Sequence, residues 1–89
     1  MADIERVKGA IGELAGRPKS VRFGEIERIA NQLESLGYRV DKRRLSDGWI
    51  FSIDGKKFSV VTHNRGQSQL KPYYVRSFLE VMMELGLYD

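Results

Sequence analysis

Residues 49–61, WIFSIDGKKFSVV, decide the fold, because they predict a β-hairpin about Asp54-Gly55. An Asp-Gly pair between two alternating apolar runs is a strong hairpin signal, since a type I′ turn needs positive φ at both central residues. The residues that alternate onto one face are Trp49, Phe51 and Ile53 in the first run and Phe58 and Val60 in the second. We therefore expect this face to be covered by helices and the opposite, more polar face to meet solvent.

Composition narrows the class of protein. With 89 residues and a hydrophobic fraction of 42%, the chain is predicted to fold as one domain, residues 1–89, around a modest core. It has no cysteine and one histidine, so we expect no disulfide, no metal site and no cofactor. The N-terminal stretch does not have the pattern of a signal peptide, and no apolar run approaches the ~20 residues of a membrane span. We expect a cytoplasmic protein with no membrane contact.

The charged residues are distributed unevenly along the chain. The net charge is +3, but residues 39–76 hold nine basic and three acidic residues, whereas residues 1–38 hold six of each. Two interpretations remain open. The basic segment is either an ordinary solvated surface or a face for phosphate groups, where each neutralised phosphate adds salt-dependent affinity.

Hydrophobic periodicity predicts the remaining elements. Apolar residues at three- and four-residue steps indicate helices over residues 3–15, 23–36 and 72–85, and residues 38–42 alternate as a first strand. The order helix, helix, three strands, helix predicts an α+β fold, with a three-stranded antiparallel sheet and helices on one face. From Phe23 onward, this is the α-β-β-β-α order of the double-stranded-RNA-binding fold, and residues 1–16 form an additional N-terminal helix.

His63 is the candidate proton-transfer group, since it is the only side chain whose unperturbed pKa lies near neutrality. A lone histidine at the end of a strand is more often a surface or capping residue. Its functional alternative is a general base for RNA cleavage, with cations stabilising the charge on the phosphate.

The basic residues flanking the hairpin are candidates for contacts with an RNA backbone. They are Arg39, Lys42, Arg43, Arg44, Lys56, Lys57, Arg65 and Lys71. Three aromatic residues are candidates for base stacking or for anchoring a partner, namely Trp49, Tyr73 and Tyr74. Of the two tyrosines, we expect one in the core and the other exposed.

Residues 23–87 resemble the HicA toxin family, the YcfA-like mRNA interferases. The resemblance rests on three stretches: LESLGYRV at 33–40, VVTH at 60–63, and LKPYYVRSFLEVMMELGL at 70–87. It implies a double-stranded-RNA-binding-like fold, cleavage of mRNA, and neutralisation by a HicB-type antitoxin protein. The family's catalytic Gly-Ser-His signature lies at the start of the second strand. Alignment on Ile50-Phe51 puts the catalytic histidine at Gly48, so the usual base is missing.

Three functions are therefore compatible with the sequence. The first is a HicA-like protein with an RNA-binding surface and doubtful ribonuclease activity. The second is an active, metal-independent mRNA interferase, an endoribonuclease that uses His63 as its base. The third is a protein-interaction module that binds a HicB-like antitoxin.

Overall fold

The structure is a computed structural model, which describes residues 3–61 and 70–88. Three antiparallel strands form its sheet. They are β1, Val40–Arg44, β2, Gly48–Ile53, and β3, Lys56–Val61, arranged in chain order. Asp54 has a φ of 51° and Gly55 a φ of 85°, which is the left-handed pair of conformations that a type I′ turn requires. The predicted hairpin is confirmed.

Three α-helices complete the fold. They are α1, Ile4–Ala15, α2, Phe23–Ser35, and α3, Pro72–Glu84, with a short 3-10 helix at Pro18–Ser20. The α+β class is confirmed, with one helix before the α-β-β-β-α order that starts at Phe23.

The first strand begins later than its sequence predicts. Gly37 ends α2 with a φ of 104°, and the Tyr38 N–H donates to the Leu33 carbonyl at 3.1 Å. This bond, from the second residue past the cap to the last turn, is typical of a Schellman motif. Because Tyr38 belongs to the helix cap, β1 starts at Val40 and the predicted strand over 38–42 is wrong by two residues at each end.

Aromatic rings join the helices to one face of the sheet, which we call the inner face. Phe51 of β2 stacks on Phe58 of β3 with ring centroids 5.2 Å apart. The ring centroid of Phe23 in α2 lies 6.0 Å from that of Phe51. Phe78 of α3 contacts Phe58 edge-on, with ring centroids 5.4 Å apart. Strand alternation turns Ile50 and Ser52 to the opposite, outer face, where both are half-buried. The predicted assignment of the two faces is correct.

Helix α1 belongs to the same core as the sheet. Its Val7, Ile11 and Leu14 are buried in the cluster that also contains Phe51 and Phe78. The Asp3 side chain caps the helix by accepting the Arg6 N–H at 2.8 Å. The additional N-terminal helix is therefore a structural part of the domain.

Replacing glycine with alanine should change the free energy of unfolding in opposite directions at Gly9 and Gly55. A Cβ added at Gly9 in α1 meets no atom within 4 Å. We expect Gly9→Ala to raise the free energy of unfolding by about 0.5–1 kcal/mol, because alanine is the better helix former. Gly55→Ala should lower it by about 1–2 kcal/mol, because alanine tolerates positive φ poorly. Urea denaturation measures both, and equal signs for the two variants would contradict the assigned turn.

Candidate nucleic-acid interface

Four exposed cations lie along the edge strand β1. They are Arg39, which directly precedes the strand, and Lys42, Arg43 and Arg44 within it. The charge of Lys42 is compensated by an ion pair, because its Nζ lies 3.6 Å from the Glu27 carboxylate of α2. Among residues 3–61 and 70–88, no ion pair involves the other three. The edge therefore presents uncompensated positive charge.

Arg44 is held against an aromatic surface. Its guanidinium carbon lies 5.5 Å from the centroid of the Trp49 ring, and Trp49 itself stacks on Phe23 at 6.2 Å. Such a cation–π contact restricts the arginine while leaving its N–H donors available at the rim of the ring. Trp49, predicted as a stacking or partner residue, is half-buried on the inner face. In this position it supports Arg44 and packs on α2.

The cations of β3 have a different environment. Lys57 is exposed on the outer face and lines a cleft of about 450 Å³ whose other wall includes Glu80 and Glu84 of α3. These carboxylates offset the positive charge of Lys57. Lys56 is half-buried and pairs with Ile53 across the hairpin turn. The charge of β3 is therefore partly offset, whereas Arg39, Arg43 and Arg44 make no ion pair among the described residues.

The N-terminus of α3 brings a second group of cations to one end of the sheet. The Leu70 N–H donates to the Val21 carbonyl at 2.8 Å, which places exposed Lys71 and exposed Arg22 each one residue from the same bond. Arg22 precedes Phe23, which contacts the Trp49 that supports Arg44. Sequence reasoning missed Arg22, since it lies in the charge-balanced N-terminal part and no local pattern marks it.

The predicted RNA-binding residues thus occupy more than one place. Arg39 lies at the hairpin turn, where its N–H donates to the Asp54 carboxylate at 2.8 Å. Arg44 lies at the opposite end of β1, about 17 Å away along five residue steps. Lys71 lies beside the Leu70–Val21 hydrogen bond. Tyr73 is 67% exposed, and Tyr74 is half-buried with its ring 5.2 Å from that of Tyr73. The expectation of one core tyrosine is not met. The predictions at His63 and Arg65 lie outside the described residues.

Gly48 leaves no room for a side chain. It is buried, and a Cβ built on it would lie 2.2 Å from the Val60 carbonyl oxygen and 2.8 Å from the Val61 Cα. Both atoms belong to the backbone of β3, so a rotamer change cannot relieve the contact. The position to which the HicA resemblance assigns a catalytic histidine is therefore a site of close backbone approach.

An ion pair between Arg17 and Glu25 lies apart from the β1 edge. Arg17 forms a two-pronged contact with Glu25 and also donates to the Ser20 carbonyl at 2.9 Å. The hydrogen bonds from Arg17 and, secondarily, from the Arg22 N–H lower the pKa of Glu25 below its usual value. This pairing neutralises Arg17 and fixes the 3-10 helix to the start of α2. Arg17 is consequently a structural cation.

Comparisons with protein-family models, curated proteins and solved structures give no match for this chain. Within residues 3–61 and 70–88, none of the helices has the length and apolar character of a membrane-spanning segment.

We expect Gly48→Ala to lower the free energy of unfolding by at least about 2 kcal/mol, because the added methyl group must push β3 away. Gly9→Ala is the matched control, since it adds the same methyl group where no neighbour lies within 4 Å. Urea denaturation with both variants tests this. A Gly48→Ala protein as stable as the unsubstituted chain would show that the close approach is absent.

The Glu25 contact should make stability depend on pH. Because folding lowers the pKa of Glu25, its contribution is complete above the unfolded-state pKa, about 4.3, and is lost as pH falls through the folded-state value. Both side chains are about one-third exposed, at 36% and 34%, so water screens the pair. We expect Glu25→Gln to cost about 0.5–1 kcal/mol at pH 7 and much less at pH 3. Glu34→Gln, at an exposed position, is the control. An equal cost of Glu25→Gln at both pH values would contradict the assigned contact between Glu25 and Arg17.

Proposed function

We propose that this protein binds RNA through the β1 edge, as a HicA-like protein whose ribonuclease activity is absent or much reduced. The observation that carries the proposal is the group of exposed arginines at 39, 43 and 44, which lack ion-pair partners among the described residues. Arginine suits this role because its planar guanidinium donates to two phosphate oxygens at once.

The local acidic residues offset this charge only in part. Asp54 accepts the Arg39 backbone N–H at the hairpin turn, and Glu27 pairs with Lys42. Asp41 lies on the outer face opposite Ser52 and makes no ion pair among residues 3–61 and 70–88. An ordinary solvated surface usually interleaves both signs of charge. Along β1, one acidic residue accompanies three basic ones, which favours a polyanionic ligand.

The absence of a side chain at Gly48 supports the proposal that ribonuclease activity is absent or much reduced. RNA cleavage without a metal needs a base that takes the proton of the 2′-hydroxyl, and glycine supplies none. The β3 backbone fills the space into which such a base would project. Phosphate binding by the arginines needs no group at this position, so binding and cleavage separate in this chain.

A titration with a labelled RNA across salt concentrations tests the binding surface. We expect the slope of log K against log [salt] to be negative and to lose about 0.7 in magnitude in Arg43→Ala for single-stranded RNA, because one phosphate contact disappears. Lys8→Ala removes the same charge from an exposed site on α1 and should leave the slope unchanged. A flat salt dependence, or equal effects of the two variants, would contradict the proposal.

Incubating the same RNA with the unsubstituted protein and with His63→Ala tests the catalytic half. We expect no cleavage above background in either sample. Cleavage that disappears in His63→Ala would instead establish the active interferase, with the single histidine of the chain as its base.

A further inference from the structure

The hydrogen-bond pattern of β1 shows which of its backbone groups are turned away from β2. The Asp54 N–H donates to the Arg39 carbonyl at 2.8 Å, and at the other end the Leu45 N–H donates to the Gly48 carbonyl at 2.8 Å. Bonded and non-bonded pairs alternate in an antiparallel ladder. Residue 39 is bonded to Asp54, directly after β2, and residue 45 to Gly48 of β2, so residues 41 and 43 between them are also bonded to β2.

The alternate residues Val40, Lys42 and Arg44 therefore point their N–H and C=O groups outward from the sheet. In residues 3–61 and 70–88, β1 pairs with β2 alone, and no hydrogen bond uses these outward groups. Four of the five residues of β1 are exposed. The Lys42 and Arg44 side chains are engaged with Glu27 and Trp49 on the inner face. At every second residue, the edge thus offers the free backbone N–H and C=O groups that an added strand would bind.

We propose that β1 accepts an extended, acidic segment of a partner protein as a fourth strand. The charge of the edge selects this occupant. Residues 39–44 contain four basic residues and one acidic residue, so two copies of β1 placed side by side would bring like charges together. Lysine and arginine on an edge strand protect against self-pairing. The same charges attract a strand that carries glutamate or aspartate at alternate positions.

This inference goes beyond RNA binding and does not depend on it. Strand addition uses the outward backbone groups of β1, whereas RNA binding uses the arginine side chains. The two ligands nevertheless compete, because an added acidic strand would lie against the cations of the same edge.

Two peptides test the backbone component. The probe is a fluorescent octapeptide of alternating glutamate and valine, and its control has two adjacent central amides N-methylated. The control keeps the charge and composition but cannot pair along either of its edges. We expect N-methylation to weaken binding about ten-fold or more, measured by fluorescence anisotropy. Equal affinity of the two peptides would show attraction by charge alone and would overturn the proposal.

Amide hydrogen exchange locates the peptide. The N–H groups of Val40, Lys42 and Arg44 should exchange more slowly when the probe is present, since they gain partners. Those of Asp41 and Arg43 already bond to β2 and should change little. Protection confined to other parts of the chain would overturn the proposal, even if the peptide binds.

A pair of variants separates strand addition from RNA binding. Lys42→Pro removes an outward N–H and a charge, while Lys42→Ala removes the charge alone. Proline is tolerated on an edge strand where its nitrogen faces outward. We expect Lys42→Pro to bind the probe about ten-fold more weakly than Lys42→Ala, and both to bind RNA equally. Equal probe affinities would overturn the inference without affecting the RNA proposal. If Lys42→Pro does not fold, the comparison of the probe with its N-methylated control decides whether the backbone of β1 takes part in binding.

Discussion

The contact between Phe51 and Phe58 is the interaction on which the rest of the structure depends. These rings stack across the hairpin, and each also contacts a helix, through Phe23 of α2 and Phe78 of α3. A two-stranded hairpin alone is marginally stable in water, so the sheet needs this apolar cover. The cover in turn fixes which face of β2 is buried. Through the pairing of β1 with β2, it also places Lys42 and Arg44 on the inner face and Arg43 on the outer face.

The hairpin, the helices and the α+β class could be predicted because each has a local signal. Asp54-Gly55 specifies the turn, and the apolar periodicity of the helices specifies their buried faces. The start of β1 could not be predicted, because the pattern of Tyr38 fits a strand equally well. Only the bond from its N–H to Leu33 shows that the backbone of Tyr38 closes the preceding helix.

The candidate site was harder to predict than the fold. Sequence gives the sign and position of each charge but not its spatial neighbours. Lys57 and Arg43 look alike in sequence, yet Lys57 shares a cleft with Glu80 and Glu84, more than 20 residues away along the chain. Lys42 likewise finds its partner on α2. Arg22 gains relevance only through the Val21–Leu70 hydrogen bond. The charge that remains uncompensated is a property of the packed structure.

The close approach at Gly48 also limits how this chain can change during evolution. Any side chain at this position meets the carbonyl of Val60 and the Cα of Val61, which are part of every possible sequence of β3. Changing the neighbouring side chains therefore cannot create space, and a single substitution at position 48 costs stability before it offers any new chemistry. A lineage with this backbone arrangement is held at glycine. New chemistry at this end of the sheet has to arise from residues outside the strand pair.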